Sequence, residues 1–308
     1  MILRYGHLSR FARVFRAMTG LDVDAFDSLV ADILPRYTQA ELARHSRPTR
    51  KRAVGGGHPF TLDARDQLLL TVVWLRLYPL HEVLAYLFAI SDSTVSRYIA
   101  RMLPLLEASG RDTMRMPDPG KKRRRNLDAL LADTPELAVV IDTFEQRVQR
   151  PPKRTDADKL YSGKKKQHTL KSQVAIDETT GRFVDIAESA PGPTADISVL
   201  EASGLLKRLP AGVGGIGDLA YTGIANLHPC GLAAAPRRKP RGNPRPPDDI
   251  AYNRAFSRRR IIVEHSIGRL RRYQSLSQTD RNHRQNHTAR VRAVAGLVNR
   301  RIDRHGAR

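Results

Sequence analysis

The sequence predicts an α/β chain, an all-α region followed by a mixed-sheet domain, on three observations. Apolar residues recur at helical spacing between Leu62 and Leu106, the spacing changes to that of strands from Leu137, and it returns to helical from Tyr252 onward. A length of 308 residues exceeds what one core usually holds, so two domains are expected, with a small helical piece ahead of them.

The first stretch, to about residue 45, places Phe15, Met18, Leu21, Phe26, Leu29, Val30 and Leu34 at short helical spacings, with Asp22 or Asp24 available as caps. A basic, glycine-rich joint follows, from Arg47 through Gly55, Gly56 and Gly57 to Pro59. Leu62, Leu68, Leu69, Val72, Val73, Leu75 and Leu77 then predict a largely buried helix stopped near Pro79, and Val83, Leu84, Leu87 and Phe88 a shorter one. After a tight corner at Ala89 and Ile90, Ser91 caps a third helix with Val95, Ile99, Met102 and Leu106 on its apolar side. Three helices with a short corner between the last two are the layout of a helix-turn-helix domain. Its outward face would carry Ser93, Thr94, Ser96, Arg97 and Arg101, which suit phosphates and base edges. The same pattern also fits a plain bundle with a solvated face, and net charge favours DNA.

Pro117 to Gly120 and the basic run Lys121 to Arg125 mark a linker. The expected division is therefore 1–59 lead-in and joint, 60–116 helix-turn-helix domain, 117–135 basic linker and 136–308 mixed α/β domain. Within the last, Leu137 to Ile141 predicts a buried strand ending at Asp142. Next come a polar loop with Lys164, Lys165 and Lys166, an alternating stretch (Leu170, Ser172, Val174, Ile176), a turn from Asp177 to Gly181 and the run Phe183 to Ile186. Together they predict a hairpin beside the first strand. A helix from Ile197 to Leu206, a strand from Val213 to Ile216 and an irregular Arg- and Pro-rich stretch at 237–248 precede the terminal helices. The first of these puts Tyr252, Phe256, Val263, Ile267 and Leu270 on one side.

Lys and Arg number 53 against 31 Asp and Glu, a formal net charge of +22 with a pI near 10.8. Such an excess repels itself in a compact state and is usually retained because a polyanion binds it, nucleic acid before an anionic membrane. Membrane attachment would want a basic amphipathic helix or a lipidation signal at an end, and neither is present; nothing approaches the length of a membrane span. Cys230 is the sole cysteine, so an internal disulfide and thiolate zinc sites are excluded, and a reducing, cytoplasmic setting is expected.

Asp142 and Asp218 stand at predicted strand ends and Glu264 within a helix, three carboxylates in a basic chain. Converging carboxylates suit a pair of Mg²⁺ ions about 4 Å apart, because Mg²⁺ prefers hard oxygen ligands shared with substrate phosphate. Without metal, clustered like charges repel. Taken singly, each carboxylate also reads as a solvated or paired surface group, Glu264 with Arg260 four residues before it. Rival signals are weaker. Gly212 to Gly217 matches GxGxxG, but no acidic residue lies between Leu219 and Pro247 to hold a ribose. His283 and His287 stand four apart without a companion ligand, so phosphate or water contacts are the better expectation for them. No GxxxxGK[ST] loop is present, so ATP use is not expected.

From about residue 50 to its end, the chain resembles the transposases of bacterial insertion sequences, in the Harbinger-related DDE superfamily of endonucleases. The resemblance rests on the glycines at 55–57, Leu75 to Pro79, Leu87-Phe88 and SDSTVS from Ser91 to Ser96. It rests above all on five ordered blocks: VVIDTFEQRVQRP (Val139 to Pro151), YSGKKKQHTLK (Tyr161 to Lys171), PGPTADISVL (Pro191 to Leu200), GDLAYTG (Gly217 to Gly223) and RRIIVEHSIGRLRRY (Arg259 to Tyr273). It implies an α/β fold, an RNase H-like mixed-sheet catalytic domain preceded by an all-α helix-turn-helix domain. Asp142, Asp218 and Glu264 would hold two Mg²⁺ (or Mn²⁺) ions, with Asp196 the alternative second ligand. It further implies Arg260 and Arg271 flanking the glutamate as DNA contacts, and double-stranded DNA as partner, both terminal inverted repeats and target. A homo-oligomer on DNA and a bacterial, nucleoid-associated location follow from the same likeness.

The chain departs from many relatives at three places, with Thr143 where they carry Gly, Ser257 where they carry Tyr and Arg271 where they carry Lys. The last two concern side chains that hold donor-end phosphates. The expected activity is metal-dependent strand cleavage and strand transfer. A nuclease of the same fold without strand transfer, and a DNA-binding protein without catalysis, are the other readings.

Overall fold

A computed structural model of the chain describes residues 3–46, 60–120 and 129–306. The glycine-rich joint expected at 47–59 and the basic run at 121–125 lie outside the described residues. The chain divides into two compact units, one of Met1–Asp112, Arg272–Ser277 and Arg292–Arg308, the other of Thr113–Arg271 and Gln278–Val291. Among the described residues no helix is long and apolar enough to cross a membrane.

The first unit is helical. Helices α1 (Tyr5–Leu8), α2 (Ala12–Thr19) and α3 (Val23–His45) lead in. Asp22 sits at the N-cap of α3 but gives its carboxylate to Arg16 rather than to the helix backbone. The centre is α4 (Ala64–Leu77), buried without a break from Gln67 to Leu75, started by Asp63 accepting from Asp66 N at 2.7 Å and stopped where Tyr78 turns left-handed before Pro79. Helix α5 (His81–Phe88) ends at Ala89, whose φ of 51° makes the expected tight corner. Ser91 Oγ then accepts from Thr94 N at 3.3 Å and opens α6 (Asp92–Asp112), with Val95, Ile99, Met102 and Leu106 buried.

In the second unit the mixed sheet begins with β1 (Ala138–Arg147). After α7 (Arg154–Leu160) come β2 (Tyr161–Ser162), β3 (Gln167–Asp177), β4 (Phe183–Ile186) and β5 (Ala190–Pro191). The chain continues through α8 (Asp196–Ser203), α9 (Leu205–Arg208), β6 (Gly214–Ile216), α10 (Ile224–Leu227), β7 (Ala233–Ala234) and α11 (Pro247–Arg271). Strand order is β2-β3-β1-β6-β7, with β4 and β5 also paired to β3. β1 is antiparallel to β3 and parallel to β6, so the sheet is mixed, and the expected hairpin beside the first strand is present.

Three expectations need correction. The first strand does not end at Asp142: β3 pairs with it continuously from Val139↔Asp177 to Arg147↔Thr169, and that ladder carries it through polar residues the apolar run did not include. The helix expected over 197–206 is two, broken at Gly204, which takes φ 62°. The long terminal helix starts at Pro247, ahead of Tyr252, with Asp248 and Asp249 in its first turn.

Residues 272–277 and 292–308 cluster by contacts with the N-terminal helices. They contain α12 (Gln274–Ser277) and most of α13 (His287–Gly306). The reason is close packing: a Cβ on Gly296 would lie 2.3 Å from Gly110 Cα, so the backbones of α13 and α6 touch where both lack side chains. Arg300 adds bonds to Asp32 and, at 2.8 Å, to Ser109 Oγ.

Candidate functional site

Register brings the first two carboxylates together. The parallel pairing of β1 with β6 ends at Val140↔Ile216, and Asp142 and Asp218 each lie two residues beyond that pair. They are counterparts at the place where one strand leaves its neighbour, the kind of crevice at parallel strand ends where ligands bind in α/β sheets. Asp142 therefore opens toward the site from mid-strand, because β6 has stopped beside it. Asp218 is fixed by accepting from Ala220 N at 2.9 Å.

Strand alternation sorts the side chains by face. Val139 and Ile141 enter the apolar cluster with Leu200, Leu205, Leu206 and Ile224, so Asp142 points to the other face, where it meets α11. The rotation of α11 is set by Arg259, which is buried and donates to Glu178 Oε1 and Oε2 at 2.6 and 2.9 Å and to Thr134 Oγ1 at 2.7 Å. With Arg259 locked inward, its neighbour Arg260 swings to Asp142, Nη2 to Oδ2 3.2 Å. Glu264 follows one turn later on the face of Arg260 and is exposed. The helix ion pair that spacing suggests for Arg260 and Glu264 gives way to this bond with Asp142.

Asp142 is pushed up to about 6, chiefly by burial and further by the charges of Asp218 and Glu264, against the Thr143 N–H and Arg260. Tyr221 is fully buried and its phenol is raised by burial and by Asp142, Asp196 and Asp218. Its hydroxyl has no hydrogen-bond partner among the described residues. Among those residues no three His, Cys, Asp or Glu side chains are gathered closely enough to hold a metal ion in common. The hard carboxylate oxygens of Asp142 and Asp218, set at the same offset beyond the last β1–β6 pair, are nonetheless the type of donor a hydrated divalent cation prefers.

Asp196, the alternative ligand, begins α8 and is engaged otherwise. Its Oδ1 accepts from Lys171 Nζ at 2.5 Å and from Thr143 Oγ1 at 3.0 Å. Arg271 is exposed and donates to Glu145 O at 3.3 Å. Lys164, Lys165 and Lys166 are exposed at the tip of the β2–β3 hairpin, three adjacent cations where Lys166 takes a φ of 54°.

In the helical unit, Ser93, Ser96 and Arg97 on α6 are exposed and Thr94 is half-buried. Arg97 donates to Ser93 Oγ at 3.1 Å, which holds its guanidinium along the helix surface. Arg101 is drawn inward, 3.1 Å from Glu41 and over the Phe60 ring at 4.4 Å.

Reasoning from sequence missed Arg259 and Tyr221. One stood in an arginine-rich run where nothing local sets it apart from its neighbours, and the other carried no signal beyond its place three residues after Asp218. His287 is neither a metal ligand nor a phosphate contact. It is fully buried, with Nε2 2.9 Å from Gln146 Oε1 and Nδ1 2.8 Å from Ser189 Oγ.

Comparison with known proteins agrees with this architecture. Residues 141–299 match the family model described as DDE superfamily endonuclease, and residues 60–112 match the helix-turn-helix of DDE superfamily endonuclease. The chain is 28% identical over 288 residues, 94% of each chain, to a probable transposase for insertion sequence element IS702 from Microchaete diplosiphon. No solved structure matches it significantly.

Proposed function

Since this chain belongs to the DDE superfamily endonucleases, we propose that it acts as a DNA transposase, which binds the ends of its element, cleaves them and joins them to target DNA. Asp142, Asp218 and Glu264 are its metal-holding residues in this reading, with two Mg²⁺ or Mn²⁺ ions. The observation that carries it is the shared offset of Asp142 and Asp218 beyond the last β1–β6 pair, with the charge of Glu264 acting on the same Asp142 carboxyl.

When bound, such ions activate the attacking oxygen and stabilise the leaving oxygen of an in-line displacement at phosphorus. The chain's own groups orient the rest. Arg260, now on Asp142, offers a guanidinium suited to a phosphate oxygen. The hairpin lysines 164–166 and Arg271 supply further cationic contacts to the DNA backbone, and Ser93, Thr94, Ser96 and Arg97 of α6 carry the helix-turn-helix contact, while Arg101, turned inward to Glu41, does not. Pairing of two element ends calls for a homo-oligomer on DNA.

The test is incubation of labelled element-end duplex and target DNA with the full chain and Mg²⁺ or Mn²⁺. Wild type should yield cut ends and joined product, and Asp142→Asn and Asp218→Asn neither. Cut ends without joined product would favour a nuclease, and retention of DNA without cutting would favour a binding protein. Affinity for duplex should fall steeply with salt, given a net charge of +22.

A further inference from the structure

We propose that Thr143, Asp196 and Lys171 form a positioning relay that fixes the Asp142 carboxylate, and that Asp196 is not a metal ligand. The relay begins with Lys171 on β3, a buried lysine whose ammonium donates to Thr194 O at 2.6 Å and to Asp196 Oδ1 at 2.5 Å. Asp196 thereby has a dedicated counter-charge, and the same oxygen accepts from Thr143 Oγ1 at 3.0 Å. Thr143 closes the chain of contacts, because its backbone N–H donates to Asp142 Oδ1 at 2.7 Å. The side-chain anchor on α8 holds the Thr143 backbone in place, and that backbone in turn presents its N–H to Asp142 Oδ1, so the Asp142 rotamer is tied to the Lys171–Asp196 pair through the position of residue 143.

Strand alternation separates the roles. Thr143 faces α8 and Asp142 faces α11, so Asp196 approaches β1 from the sheet side opposite the Asp142 carboxylate. The second metal-holding aspartate is then Asp218, which shares the register offset of Asp142 and has no cation bonded to it among the described ion pairs. The hydroxyl link depends on threonine at 143, so it is a property of this chain's own sequence.

The inference rests on the metal-dependent reading above, and its test separates the two. Mn²⁺ binding to the full chain is measured directly by electron paramagnetic resonance, alongside kcat and KM for cleavage of element-end DNA. Thr143→Val should raise the half-saturating Mn²⁺ concentration and lower kcat by about tenfold, with KM for DNA unchanged, and Thr143→Ser should restore both. Asp196→Asn should leave the number of bound Mn²⁺ ions unchanged, whereas Asp218→Asn reduces it. Equal behaviour of the Thr143 valine and serine variants, or loss of an ion in Asp196→Asn with the fold intact by circular dichroism, would overturn the relay. Should Asp196→Asn fail to fold, the two Thr143 variants decide alone. A wild-type chain that binds no Mn²⁺ overturns the catalytic reading, and the relay with it.

Discussion

Arg260 turns its guanidinium to Asp142 on β1, 3.2 Å away, although Glu264 stands one turn beyond it on its own helix. The bond holds down a carboxyl that burial and two neighbouring acids push up to about 6. Removing it in Arg260→Gln should raise the Asp142 titration further, read as an upward move in the acid limb of the metal-dependent cleavage profile. An unmoved limb would mean that Arg260 does not act on Asp142 in solution.

The same carboxyl sets a sign for stability. Its folded pKa lies above the ordinary 3.8, so its contribution is full below about pH 4 and is lost as pH rises through 6 in the metal-free chain. Asp142→Asn should abolish cleavage yet stabilise the metal-free protein at pH 7.5, by on the order of 1–2 kcal/mol. Urea unfolding at pH 5 and 7.5 checks this, and a variant less stable than wild type at pH 7.5 would count against it.

His287 carries the opposite sign. Burial, then Arg290, depress it from 6.5 to about 4, and the neutral ring is well served. Gln146 donates to Gln278 O at 2.9 Å, which leaves its Oε1 to accept from Nε2, while Ser189 meets Nδ1. Its contribution is therefore present above pH 6.5 and lost as pH falls through 4, roughly 3 kcal/mol in all. His287→Gln should flatten the fall in unfolding free energy over that window, and an equally steep fall in the variant would refute the assignment.

Arg259 and Glu178 form a buried pair with side-chain exposures of 3% and 2%. Arg259→Met strands the carboxylate in the interior and should cost about 3–5 kcal/mol. Pairing it with Glu178→Gln should recover part of that loss. Recovery by the double variant, measured as a chemical-denaturation midpoint, distinguishes a stranded charge from lost packing.

Gly296→Ala should lower the melting temperature, since its methyl would sit 2.3 Å from Gly110 Cα and both backbones must move. Overpacking of this kind costs about 1–3 kcal/mol. Gly268→Ala, where nothing lies within 4 Å, serves as the control and should be neutral or stabilising.

Much of this was legible from residue pattern alone, and the exceptions have causes. Helices α4 to α6 announced themselves through Pro79 and Ser91, local signals that act within a turn of where they stand. The Asp142–Asp218 relationship was legible as two acids after two apolar runs. The length of β1 was not, because it depends on nine residues of pairing with β3, a partner whose reach no local window reveals. Arg259 and His287 carried no local sign of their buried roles for the same reason: their partners Glu178 and Gln146 lie 81 and 141 residues away.

The touching glycines of α6 and α13 also bear on the order of events during synthesis. A ribosome delivers Gly110 long before Gly296, with the whole mixed sheet made in between. The helical unit that starts first must consequently wait for its last piece, holding an apolar seam open while the interposed sheet assembles. Fragments ending near residue 112 should therefore be poor vehicles for studying the helix-turn-helix by itself.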